Sequence, residues 1–401
     1  MIKFAIRQNI KYPLQLLIWF ILREIESDLV SRFLNFNSII YTPIMFLGEF
    51  FAGLIIYLYQ KQYLSKDKTI KLSHFTSIQL NRVKSTKLMI DNKIKIAFLI
   101  FFSAFCDYTQ FVISLHISKF MNTSNSFEIR LFGLFTIYDA LFYYYILKFP
   151  IFKHQYLSLF IIGFCLIILI ISEFIFQEIN IFLSYGQFFI YLFLIIIIHF
   201  ISALLDSIEK YLFEFNNLNI FFVLMLEGII GFILSFIYSL FQSPFDDIIQ
   251  FIKENSYSYI IILILALILY LILSGLINSY RVLTTKIYSP MTTTFMYYIF
   301  NPFFLSYYFI IGADFISYGK RNTFYFIINL IISIILSFIG CVYNEFLILF
   351  FCGLERDTYK QIIIRSGNEG NFYNINDFLD DDEIDDNTST ATNRINLGKY
   401  F

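Results

Sequence analysis

Charge is what this sequence has least of. Only 15% of its 401 residues are Asp, Glu, Lys or Arg, against 58% hydrophobic, where a soluble domain carries nearer a quarter charged residues. That scarcity excludes an ordinary soluble globular domain. Cysteine is scarce too. Cys106, Cys165, Cys341 and Cys352 have no metal-ligand spacing and sit in or beside apolar runs, so no disulfide framework is implied. The four histidines, His74, His116, His154 and His199, show neither HExxH spacing nor a cysteine partner. There is no G-x-S-x-G elbow and no Walker A loop, so neither an enzyme nor an ATP-driven pump is indicated, and no cofactor or metal is expected. Period-2 alternation is missing, which removes a transmembrane β-barrel.

What is present is long apolar sequence. Runs such as Leu159–Ile171, Tyr185–Ile198 and Tyr259–Leu273 point to an all-α polytopic membrane protein, because helices satisfy every backbone polar group within lipid. Ten spans are expected, near Pro13–Phe33, Ser38–Tyr59, Ile96–Lys119, Ser126–Lys148, Gln155–Phe176, Ile181–Tyr211, Ile220–Phe241, Tyr257–Asn278, Ser289–Ile311 and Phe324–Phe351. Each reaches or exceeds the ~20 residues a crossing helix needs. The first carries Arg23, Glu24, Glu26, Asp28 and Arg32. It is read as lining a polar cavity; an interfacial helix there would leave nine spans. The aromatic share, 21%, is accounted for by interfacial belts and a composition also rich in Ile, Asn and Lys.

The net charge of −1 hides a segregation of sign. Residues 60–95 hold nine Lys and Arg against two acids, which marks that loop as cytoplasmic. Both termini fall on the same side. Lys253, Lys320 and Arg321 are exceptions on the other. The stretch 355–401 is polar, with six acids among the seven residues Asp380 to Asp386, and reads as a disordered solvated tail. Of the two sequons, Asn387-Thr388-Ser389 lies on the cytoplasmic side and Asn122-Thr123-Ser124 in a very short loop.

One pattern occurs twice. Glu49 and Glu227 each sit inside an apolar run, each followed by Gly at +4 and Ile at +6. A central aspartate costs about 2.5–3.5 kcal/mol on insertion scales, so an intramembrane carboxylate marks a functional site by default. The echo divides the chain into a first five-span repeat, 1–177, and a second, 178–354. Five spans per half make the repeats inverted, which is how many secondary transporters are built. Asp107 with Gln110, Arg130, Asp139, Asp206 and Asn301-Pro302 add polar groups to the apolar spans. Pro302 removes a backbone donor and exposes a carbonyl. For each residue alone, an interhelical bond or a buried pair such as Asp107–Arg130 is the competing reading.

These residues resemble the drug/metabolite transporter superfamily and, within it, the nucleotide-sugar transporter family, solute carrier family 35, subfamily F. The similarity runs over about residues 45–350. It is carried by Met45-Phe46-Leu47-Gly48-Glu49-Phe50, by Cys106-Asp107 with Arg130, and by Glu209-Lys210 with Glu227-Gly228 and Gly231-Phe232. Asn278, Thr285-Lys286, Ser289, Gly340 and Tyr343-Asn344 complete it. Leu131 stands where the family has a glycine, and Tyr297–Pro302 where it has charged residues.

The resemblance implies ten helices in two inverted repeats, endomembrane residence (Golgi, ER or a lysosome-related organelle) and alternating access. The expectation is a secondary transporter of a small polar or anionic organic solute, nucleotide-sugar-like. Arg130 and Lys286 would meet the anionic group. Glu49, Asp107 and Glu227 would bind a proton, a cation or a polar substrate group, and Asn301 would join the site. The alternatives are an exporter of amines or drug-like metabolites, and a non-transporting adaptor using the basic loop and acidic tail. Partners are then the solute and the bilayer, with no nucleic acid and room for a homodimer.

Overall fold

A computed structural model of the chain describes residues 3–6, 17–19, 21–23, 25–26, 29, 38–64, 93–121, 130–147, 151–176, 185–216, 218–241, 257–287, 298–303, 305–306, 323–350 and 353–354. Among the described residues a short strand β1 (Lys3–Ile6) is followed by the helices α1 (Ser38–Leu64), α2 (Lys93–Met121), α3 (Gly133–Tyr145), α4 (Lys153–Phe176), α5 (Tyr185–Glu214), α6 (Ile220–Phe241), α7 (Tyr257–Ile287) and α8 (Thr323–Tyr343). Strand β2 (Leu347–Phe350) comes after them. Seven of these helices, all but α3, contain a segment long and apolar enough to cross a membrane. The chain is therefore an integral, multi-pass, all-α membrane protein. The seven match seven of the ten expected spans. The expected first and ninth spans fall largely outside the described residues, as do most of the 60–95 loop, both sequons, Lys253, Lys320, Arg321 and the 355–401 tail; the expected fourth is described over 130–147, where its helix α3 is 13 residues long and is not among the seven.

The helices turn apolar surface outward and small or polar side chains inward. On α6 the exposed residues Ile229, Ile233, Phe236, Ile237 and Leu240 recur at helical spacing, while Glu227 and Ser235 are buried. On α8 Phe324, Ile327, Ile331, Ile334 and Phe338 are exposed, and Asn329 and Ser333 are buried. Lipid rewards the first stripe, and close packing of small residues with polar bonds between helices uses the second.

The chain forms two compact units, each drawing on both halves of the sequence. One contains residues 1–14, 120–203 and 291–401, the other 15–119 and 204–290. In the first unit α8 packs on α4, α4 on α3, and β1 pairs antiparallel with β2, Lys3 opposite Phe350 and Ile6 opposite Leu347. The expected tenth span runs on to Phe351, but the helix stops at Tyr343. The Phe346 N–H donates to the Cys341 carbonyl at 2.9 Å and the Glu345 N–H to Val342 at 3.2 Å, with Glu345 at φ 60°. This is a Schellman ending with a non-glycine residue in the left-handed position. It frees the apolar Leu347–Phe350 stretch to become a strand.

The second unit is built on α1, which packs against α6 on one side and α7 on the other. Helix α6 starts where Asn219 Oδ1 accepts the N–H groups of Phe221 at 2.9 Å and Phe222 at 3.3 Å, an N-cap. Its amide Nδ2 also donates to Gln60 Oε1 at 2.9 Å, tying the start of α6 to the end of α1. The two helices run antiparallel: the Tyr57 ring lies tilted against that of Phe222, whereas Phe46 lies against Gly231. Their backbones nearly touch. A Cβ on Gly228 would lie 2.4 Å from the Phe50 nitrogen, and one on Gly53 would lie 2.7 Å from the Met225 nitrogen. Only glycine permits that approach. Counting from this crossing in both directions brings Glu49 and Glu227 to the same level.

Candidate functional site

The polar centre of the second unit takes side chains from five helices. Glu49 comes from α1, Ser103, Asp107 and Gln110 from α2, Asp206 and Glu209 from α5, Glu227 from α6, and Asn278 and Arg281 from α7. Each carboxylate projects from an otherwise apolar helix, and all five acids are buried. Arg281 Nη1 lies 2.8 Å from Glu209 Oε1 and 3.2 Å from Asp206 Oδ1, and its Nε donates to Asn278 Oδ1 at 3.3 Å. Asp206 and Glu209, three residues apart, share one face of α5, which is why one guanidinium reaches both. Ser103 Oγ donates to Glu227 Oε1, and Gln110 Nε2 donates to Asp107 Oδ1 at 2.8 Å.

Two features set what this centre can do. Five carboxylates surround one guanidinium, and ionised groups in a low-dielectric interior require countercharge or protonation. Hydrogen bonding is also incomplete: both oxygens of Glu49, Oδ2 of Asp107, Oε2 of Glu227 and Nη2 of Arg281 are buried with no hydrogen-bond partner among the described residues. The surplus of unpartnered acceptors suits a cationic species. Among the described residues no three Asp, Glu, His or Cys side chains are grouped to hold a metal ion.

The first unit has a different polar layer. Arg130 Nη1 donates to Tyr325 Oη and, at 3.2 Å, to Asn329 Oδ1. Its Nη2 lies 3.4 Å from Glu173 Oε2, and the Tyr325 hydroxyl donates to the same carboxylate. One positive and one negative charge are thus matched inside a closed network. Nearby on α8, Ser333 Oγ accepts from Asn301 Nδ2 at 3.2 Å. The carbonyl that Pro302 leaves without its helical donor is that of Tyr298, four residues earlier, and Ser337 Oγ donates to it.

Of the residues expected at one site, Glu49, Asp107 and Glu227 come together. Arg130 and Asn301 belong to the first unit's layer. Lys286 stays exposed at the end of α7, where its backbone carbonyl accepts Lys210 Nζ at 3.0 Å. The basic member of the carboxylate centre is Arg281 instead, about one turn earlier. Arg281 and Glu173 are not among the residues the sequence singles out, and Glu209 enters there only beside Lys210 in the family resemblance. The i, i+3 spacing of Asp206 and Glu209 was the available signal. No protein-family model matches the chain, and no curated protein matches it.

Proposed function

We propose that this protein is a secondary transporter of a small polar organic solute, working by alternating access, and that its carboxylate centre binds a cationic species. The observation that carries the reading is the set of five buried acids, from four helices, around Arg281 of a fifth. Intramembrane ionisable residues facing one another inside a helix bundle mark substrate and ion pathways. The antiparallel crossing of α1 and α6, with Glu49 and Glu227 level, supports the ten-span arrangement in two inverted repeats and a site near the midplane.

The same geometry favours an amine-bearing solute over a nucleotide-sugar-like one. A diphosphate needs cationic partners; Arg130 is matched by Glu173, and the exposed Lys286 is outside the centre. Endomembrane residence with cytoplasmic termini completes the reading. The basic 60–95 loop supports that orientation, and the pairing of β1 with β2 supports a common side for the two ends.

The test is uptake of labelled polyamines and of labelled nucleotide sugars by proteoliposomes containing the full chain. Polyamine uptake that Glu227→Gln abolishes, with expression and localisation unchanged, is the expected outcome. Nucleotide-sugar exchange without polyamine uptake would replace the amine reading. Uptake of neither, with function lost on deleting 366–401, would support an adaptor.

A further inference from the structure

We propose that Glu49 is the group that binds and releases the coupling proton, with Arg281, held by Asp206 and Glu209, as a fixed countercharge. This rests on the transporter reading above and assigns separate tasks within its centre.

The five acids are not equivalent. Asp206 and Glu209 share the guanidinium of Arg281 at 3.2 and 2.8 Å. Glu227 accepts from Ser103, and Asp107 accepts from Gln110. Glu49 has no such partner among the described residues: it is 0% exposed, and neither of its oxygens has a hydrogen-bond partner there. The charged groups facing it among the described residues are Asp107 from α2, Glu209 from α5, Glu227 from α6 and Arg281 from α7. Three are acids, and the cation is already engaged by Glu209 and Asp206.

An ionised Glu49 would be a desolvated charge with no donor among like charges. As the neutral acid it avoids that cost, since a buried carboxyl without a partner takes up a proton rather than remain charged.

The surroundings also fit a group that changes state when the helices move. Glu49 is flanked by Gly48 and Gly53, where α1 touches its neighbours through backbone. A Cβ on Gly48 would lie 2.3 Å from the Leu271 carbonyl oxygen of α7, and one on Gly53 would lie 2.9 Å from the Phe221 carbonyl oxygen of α6. Parting of either contact admits water or an ammonium group beside the carboxyl. The O–H bond then breaks, the proton passes to water on the open side, and the carboxylate is left to face the cation. Return of a proton displaces that cation. The cycle needs no metal or redox partner.

A lipophilic carbodiimide tests this on the unmodified full-length protein in detergent, because the reagent adds to protonated carboxyls in apolar surroundings. Peptide mass mapping at neutral pH is expected to show several-fold more label on the peptide bearing Glu49 than on those bearing Asp107 or Glu227, with the label lost at alkaline pH. Infrared spectra are expected to show a protonated-carboxyl band that Glu49→Gln removes and Glu49→Asp retains. Label confined to Asp107 or Glu227, or no label on any of the three, overturns the assignment, and the mapping decides this even where Glu49→Gln does not fold. Selective label on Glu49 in a protein that moves no solute keeps the proton site and refutes the transporter reading separately.

Discussion

Replacing Gly228 by alanine tests the crossing that brings the two echoed glutamates level. The added Cβ would sit 2.4 Å from the Phe50 nitrogen, 2.8 Å from the Phe46 oxygen and 2.9 Å from the Phe50 Cα. Ordinary contacts are about 3.5 Å. All three obstacles are backbone atoms of α1, so no rotamer change relieves them, and α1 and α6 must part by about 1 Å. Overpacking of this kind costs about 1–3 kcal/mol or more, offset by about 0.8–1.0 kcal/mol of helix propensity gained from alanine. With rigid backbone on the receiving side the upper end applies, and a net loss of about 2 kcal/mol is expected. Gly163→Ala on α4 is the control. Its nearest neighbour would be Ile137 Cδ1 at 3.9 Å, so the substitution keeps the propensity gain of about 0.5–1 kcal/mol. Thermal unfolding of both purified variants in the same detergent reads the difference. If Gly228→Ala proves as stable as Gly163→Ala, the close crossing of α1 and α6 is wrong.

Arg281→Leu strands Asp206 and Glu209 and should cost about 3–5 kcal/mol; adding Asp206→Asn and Glu209→Gln should recover most of the folded yield measured by size-exclusion chromatography. Arg130→Leu is expected to be similarly damaging in the first unit, and Arg130→Leu with Glu173→Leu less so, because the pair leaves together. Ser337→Ala removes the donor to the Tyr298 carbonyl and should lower stability by about 1–3 kcal/mol. In a Pro302→Ala background the same change should be nearly neutral, since residue 302 then supplies its own N–H. Equal costs in both backgrounds, read by thermal unfolding, would remove the proline explanation.

Hydropathy and length made the crossing helices legible, because each must bury a whole turn-by-turn backbone ladder in lipid. The Glu49/Glu227 echo was legible as spacing, and its meaning became physical at the crossing: Gly53 and Gly231, each four residues past its glutamate, both lie against the partner helix, Gly53 against the Met225 backbone and Gly231 against the Phe46 ring. Pro302 likewise announced an unpaired carbonyl. Lateral partners were not legible. Nothing in the apolar sequence around Arg281 says that α5 lies beside α7, or that Arg130 meets Glu173 on α4. The end of α8 was hidden as well: Leu347–Phe350 is as apolar as the helix before it, and the stop is made by Asn344 and Glu345 without a glycine. Nor does hydropathy order helices in the membrane plane, so the drawing of each compact unit from both sequence halves could not be read in advance.

Proteoliposomes enclosing a pH-sensitive dye offer the most direct test of a cation-binding carboxylate centre. An imposed gradient of labelled polyamine is expected to drive amine inward and shift the lumenal pH in wild-type vesicles. Neither signal is expected in Glu49→Gln or Glu227→Gln vesicles reconstituted to the same density. Solute uptake that persists unchanged in both variants would contradict the account.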